Sequence, residues 1–310
     1  MSTITRWLTR CRVPSVKAVE TSPSAVSAAI ELSTNQLSEK HPLKTTFVRN
    51  CAGRASRIVH YHIFKNAGSS VDQILRENFG ERWTAFEGAT PTSVMPHGAV
   101  KILFRERPEI AAVSSHLLRP PPSLGKNLIP LVFLREPLDR AYSVYSHERR
   151  SEPNVLSSVV AKQSSFVEYI DWCLNNLGKG GMVIANYQTI HLSPASFRRP
   201  AIYDARATEA DLAAAINLLS WFPVVGLVEE FEKCMDRFSK ACLERGVKLR
   251  TFPVRTNCSS ERSGPLAERR LKLIDMMPRE LHRAFTEANV LDRRLYQWAC
   301  RRFEQAGLIC

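Results

Sequence analysis

No apolar run in this chain approaches the ~18–20 residues that a membrane-spanning helix needs. The longest candidates, Leu128 to Leu134 and Val224 to Val228, have the length of buried strands, so a transmembrane anchor is not expected. An apolar segment following the basic N-terminal residues is missing too, which disfavours a secretory signal. The eight cysteines (Cys11, Cys51, Cys173, Cys234, Cys242, Cys258, Cys300 and Cys310) include no CxxC pair. Neither a zinc site nor a thioredoxin-like motif is suggested by them, and most are expected as reduced core or surface thiols. The Walker A pattern GxxxxGKS/T is absent. There is no internal repeat, and no low-complexity tract beyond the N-terminal segment.

What is present is an ordinary globular composition. Of 310 residues, 44% are hydrophobic and 24% charged, which excludes fibrous, collagen-like and wholly disordered chains and leaves room for a sizeable core. Forty-three Lys and Arg against thirty Asp and Glu give a net charge of +13, which implies an anionic partner. Nucleic acid, an acidic membrane surface, a phosphorylated cofactor and an acidic glycan all satisfy charge alone. Many basic pairs, such as Arg301 with Arg302, suit solvated helix faces instead. Nucleic acid is not expected, because basic residues interleaved with aromatics on one face do not stand out.

Residues 1–55 are rich in Ser, Thr and Ala with little apolar periodicity and read as a flexible lead-in, leaving 56–310 as the folded domain. Before Glu20 the lead-in carries Arg6, Arg10, Arg12 and Lys17 and no acid, which fits a basic tail better than an organelle transit peptide. From Arg57 onward short β-rich runs alternate with helical patterns, predicting an α/β fold with a mostly parallel sheet flanked by helices. Strands are predicted at Ile58–Phe64, Val100–Phe104, Ile110–Ser114, Leu128–Leu134 and Phe222–Val228. Helices are predicted at Ser70–Phe79, Pro137–His147, Phe166–Leu177, Glu209–Leu219, Glu229–Arg245 and throughout the chain from Leu266.

Ligands of open parallel sheets bind at the carboxyl ends of the strands, and three such ends carry unusual residues. The first is Lys65-Asn66-Ala67-Gly68-Ser69-Ser70, a small, cationic and hydroxylated loop that opens into a helix N-terminus. Free N–H groups of a first helical turn, two hydroxyls and a lysine suit an anion, although small turns before helices also arise from packing. The second is Leu134-Arg135-Glu136-Pro137-Leu138-Asp139-Arg140-Ala141-Tyr142-Ser143. Here Arg135 either forks onto a phosphate, with Ser143 beside it, or pairs structurally with Asp139 or Glu136. The third is Val113-Ser114-Ser115-His116, whose histidine is either a satisfied structural residue or a proton acceptor beside two anion sites.

Together these segments resemble the sulfotransferases that use 3′-phosphoadenosine 5′-phosphosulfate (PAPS), in the carbohydrate branch that contains the heparan sulfate 2-O-sulfotransferases. Lys65 to Ser70 fits that family's 5′-phosphosulfate loop, K-x-A-G-S/T-S/T, and Leu134 to Tyr145 fits its 3′-phosphate motif, L/V-R-D/E-P-x-x-R-x-x-S-x-Y. Asn186-Tyr187-Gln188-Thr189, Val225-Gly226 with Glu229-Glu230-Phe231, and Asp292 to Tyr296 are also similar to its pattern, so the resemblance spans roughly 57–306.

The resemblance implies a P-loop-type, nucleotide-binding transferase in which the backbone of Asn66, Ala67 and Gly68, with Ser69 and Ser70, holds the 5′-phosphate. It places Lys65 against the bridging oxygen, Arg135 and Ser143 on the 3′-phosphate, and His116 as general base, with His60, His62 and His97 nearby in sequence. No metal is required. The acceptor is expected to be a hydroxylated glycan or glycolipid, with Arg149 and Arg150, and beside them Arg119, Arg198 and Arg199, either flanking the cleft or facing solvent. Family members of the Golgi begin with a membrane anchor; its lack here points to a cytoplasmic, bacterial-type enzyme, with peripheral membrane contact or organelle targeting by the basic N-terminus as the other localisations. The competing readings are a P-loop kinase and a non-catalytic nucleotide- or glycan-binding relative.

Overall fold

From Ile58 onward strand β1 (Arg57–Tyr61) is buried on both faces, as expected of a parallel strand covered by helices. It belongs to a computed structural model that describes residues 55–87, 95, 97–121, 125, 127–152, 155–194, 206–254 and 264–307. The lead-in, with its basic residues, and Cys11, Cys51, Cys258, Cys310, Arg198 and Arg199 lie outside the described residues.

The sheet is built from β1, β2 (Trp83–Ala85), β3 (Ala112–Ser115) and β4 (Leu128–Leu131) in the order β2-β3-β1-β4. Every pair in it is parallel: Ile58 of β1 stands opposite Ala112 on one side and Ile129 on the other. Beyond Val132 the chain continues as β5 (Phe133–Leu134), which pairs in parallel with β6 (Gly226–Leu227). The Gly226 N–H donates to the Val132 carbonyl at 2.9 Å, so the run from Leu128 to Leu134 faces β1 with its first half and β6 with its second. Pro130, which cannot donate to a ladder, sits in β4, which among the described residues is an edge strand of this sheet.

Eleven helices are described: α1 (Gly68–Phe79), α2 (His97–Glu106), α3 (Pro137–Arg150), α4 (Leu156–Gln163), α5 (Phe166–Asn175), α6 (Tyr187–Leu192), α7 (Glu209–Ser220), α8 (Phe231–Leu243), α9 (Leu266–Asp275), α10 (Arg279–Ala288) and α11 (Val290–Gly307). The strand predicted at Val100–Phe104 is instead the middle of α2. Val100 and Phe104, four residues apart, bury one helical face while Ile102 between them is 48% exposed, a pattern that a five-residue apolar run does not reveal. The edge strand β2 has no signature in the sequence, because three residues carry no periodicity.

Local chemistry explains where the helices start. Pro137 occupies the first turn of α3, and the Glu136 carboxylate accepts from the Asp139 N–H at 2.8 Å. Ser165 with Glu168, and Thr208 with Asp211, close reciprocal capping boxes at α5 and α7. The main core packs the sheet against α1, through Val71, Ile74 and Leu75, and against α7, α8 and α11; a second cluster joins α3, α5, α9 and α10 through Val144, Phe166, Tyr169, Leu273 and Phe285. Cys173, Cys234 and Cys242 are buried free thiols and Cys300 is half-buried and free, as expected. Among the described residues no helix is long and apolar enough to cross a membrane.

Candidate active site

All three unusual strand ends open into one cavity of about 510 Å³. Its lining includes His62, Lys65 and Gly68 to Ser70 from the β1–α1 region, His116 from the end of β3, and Arg135 and Ser143 from the β5–α3 region. The β1–α1 loop is conformationally unusual, since Lys65 (φ 65°) and Ala67 (φ 61°) both adopt the left-handed backbone that residues with a Cβ seldom take. Two arginines of the second motif hold it there. Arg135 donates from Nη1 to the Lys65 carbonyl at 2.9 Å, and Arg140, fully buried, donates from Nε to the Phe64 carbonyl at 3.2 Å.

Asn66 shapes this loop rather than facing the cavity. Its N–H is spent on the Ile63 carbonyl, and its side-chain amide donates to the Phe133 carbonyl (2.8 Å) and to Gln188 Oε1 (2.7 Å). Gln188 in turn donates to the Arg135 carbonyl, and Asp292 accepts from the backbone N–H groups of Gln188 and Thr189. The downstream segments that resemble the family thus form a buried network that fixes loop and strand end together. This leaves Lys65, Ala67, Gly68, Ser69 and Ser70 as the loop residues on the cavity, and the Ser70 N–H of the first turn of α1 is itself spent on the Ala67 carbonyl at 3.0 Å. Gly68 is there for closeness: a Cβ on it would lie 1.9 Å from the His62 ring.

Arg135 realises the ion-pair alternative and still lines the cavity. Its Nε donates to Asp139 Oδ2 at 2.7 Å, while Glu136 pairs with Arg270 instead. Its bonds to Asp139 and to the Lys65 carbonyl engage two of the five N–H donors of a guanidinium. Positive charge is concentrated here. Burial, helped by Arg135, Arg150 and Arg140, pulls Lys65 down to about 8. Burial, with Lys65 and Arg150, likewise lowers His147 on the same wall. Cations that weaken one another in this way are an electrostatic seat for an anion.

His116 lies across the cavity, held by a partner the sequence did not disclose. Glu87, just beyond β2, accepts from the His116 N–H at 3.0 Å and lies 2.9 Å from its Nδ1. Burial opposes ionisation of Glu87, but the bonds from the His116 ring and backbone outweigh it and hold the carboxyl below its ordinary range. A carboxylate on Nδ1 orients the ring and leaves Nε2 as the basic nitrogen. The His116 ring also packs against His62, with centroids 3.6 Å apart and planes inclined by 31°. Only the β2–β3 pairing brings Glu87 there; no spacing in the chain points to it.

Of the residues expected near an acceptor, Arg150 is exposed and close enough to act on Lys65 and His147. Arg149 turns away, lining a separate surface pocket with Tyr142, Tyr145 and Lys162. Arg119 is not a cleft-flanking loop residue at all: it is 1% exposed and donates to the His116 carbonyl at 3.2 Å. Placed just after the end of β3, its guanidinium folds inward beneath the histidine.

No family model matches the chain. It is 29% identical over 248 residues to an uncharacterized protein of Archaeoglobus fulgidus, an alignment that covers 77% of this chain and 94% of that protein.

Proposed function

We propose that the protein is a sulfotransferase that moves a sulfuryl group from PAPS to a hydroxyl, of a carbohydrate or glycolipid by preference, on a P-loop sulfotransferase-type fold. The observation that carries this reading is the convergence, in one cavity, of Lys65 and the N-terminus of α1, of Arg135 with Ser143, and of His116 braced by Glu87. These residues fit a doubly phosphorylated nucleotide. The α1 N-terminus, with a glycine where a Cβ would strike His62, takes the 5′ end; Arg135 and Ser143 take the 3′-phosphate; Val228, Phe231 and Val254 supply an apolar wall for the base.

In this reading His116 accepts the proton that the acceptor hydroxyl loses as its oxygen bonds to sulfur. Lys65 stands against the bridging oxygen, which keeps the electron pair of the breaking sulfur–oxygen bond and departs on the bisphosphate. The charge on that oxygen grows toward the transition state, so a cation aimed at it accelerates the step rather than only tightening binding. The cations needed come from the chain itself.

Calorimetric titration with adenosine 3′,5′-bisphosphate, ATP and adenosine 5′-monophosphate tests the reading. Micromolar binding of the bisphosphate that weakens sharply without the 3′-phosphate is expected, followed by turnover of labelled donor on a glycan panel. Equal or tighter binding of ATP would favour a kinase, and binding of none would remove the nucleotide from the site.

A further inference from the structure

The cavity wall carries a second constellation that sulfuryl transfer leaves unused. His60 in β1 and His62 just beyond it are two residues apart along extended backbone, so both imidazoles fall on the same side of the strand. Asp72, one turn into α1, closes over them. Its Oδ1 lies 2.9 Å from His60 Nδ1 and its Oδ2 lies 3.0 Å from His62 Nδ1. Both rings therefore turn the same nitrogen toward one carboxylate, and the three ligating atoms all lie within 4.8 Å of one another. His60 and His62 are buried and Asp72 nearly so, which shields the trio from competing water, while His62 and Asp72 also line the cavity.

Two imidazoles and a carboxylate are the donor set of zinc and related transition-metal dications in sites that keep a fourth position open. We propose that His60, His62 and Asp72 bind a divalent transition metal of the zinc type, with the open position directed to the cavity. Zinc–ligand bonds of about 2.0–2.2 Å separate tetrahedral ligand atoms by ~3.3 Å. The two imidazole-to-Asp72 separations, 2.9 and 3.0 Å, are already close to that spacing. Coordination through Nδ1 needs that atom free of a proton on both rings, so the metal would replace the contacts that now join the rings to Asp72. Lys65 and Arg135 line the same cavity and would repel a dication; the Asp72 charge is what offsets them, which makes Asp72 the decisive ligand.

The site is independent of the sulfotransferase reading and is tested without donor or acceptor. Titration of the full chain with cobalt(II) should produce the visible ligand-field absorption of a four-coordinate ion, saturating at one equivalent and displaced by zinc. Zinc alone should raise the melting temperature of the wild-type chain. Asp72→Asn, which keeps the side-chain shape, should lose both responses; His62→Gln supplies the same comparison if Asp72→Asn fails to fold. Absence of cobalt absorption in the wild-type protein, or undiminished absorption in the folded variants, would overturn the proposal.

Discussion

Lys65 works in a positive field of the protein's own making. In the free protein it titrates near 8, because burial and the neighbouring arginines disfavour its charge. An anion binds the protonated form, so affinity for adenosine 3′,5′-bisphosphate should fall above about pH 8, up to ~10-fold per unit, the limit for loss of one proton. Calorimetry across that range checks this, and Lys65→Met should both weaken binding and flatten the fall. His116 makes a different kind of contribution. His116→Ala should leave bisphosphate binding intact and lower turnover by about 10²–10⁴-fold, the usual worth of a general base. Glu87→Gln, which keeps the shape but not the charge opposite Nδ1, should cost less and move the acid limb of the pH–rate profile. Normal turnover in His116→Ala would remove the base assignment.

At the scale of elements, the N-terminus of α1, His62 and His116 pack in series. The helix approaches His62 so closely that Gly68→Ala would drive a methyl into the ring, and His62 passes the displacement to His116 at 3.6 Å. Overpacking of this kind should destabilise the fold by about 1–3 kcal/mol, read as a lowered melting temperature, with a loss of turnover larger than the loss of binding. The elements themselves were legible where the chain carries long periodic patterns: α1, α3, α7 and the strand run ending at Leu134 lie close to the residues that periodicity picks out. Legibility stopped at short or ambiguous stretches. Val100 to Phe104 is as consistent with a strand as with a helix, and β2 is too brief to register. The polar strand ends were readable because Lys65 and Arg135 directly follow apolar runs and His116 follows one after two serines. Glu87 was not, because its place beside His116 is a product of sheet pairing, and neither was the inward fold of Arg119, since an arginine after a strand gives no sign of its direction.

For the molecule as a whole, buried imidazoles set the response to acid. Burial pushes His62 and His97 down to about 4, whereas an imidazole in the unfolded chain titrates near 6.5. Between those values the unfolded chain binds up to one more proton than the folded one at each of these two sites, and burial lowers His191 and His147 as well, so stability rises with pH through this window and is lost as pH falls through it. Denaturant midpoints should therefore drop between pH 7 and 4.5. His97→Leu should reduce the pH slope by about one proton, since both ring nitrogens of His97 are buried with no hydrogen-bond partner among the described residues and the substitution removes one titrating group. The same rigidity bears on recognition. Arg135 grips the Lys65 carbonyl and Arg140 the Phe64 carbonyl, so the two ends of the cavity are fastened to each other before any guest arrives. The cavity wall is thus set before a guest enters, so a guest has to conform to it rather than reshape it.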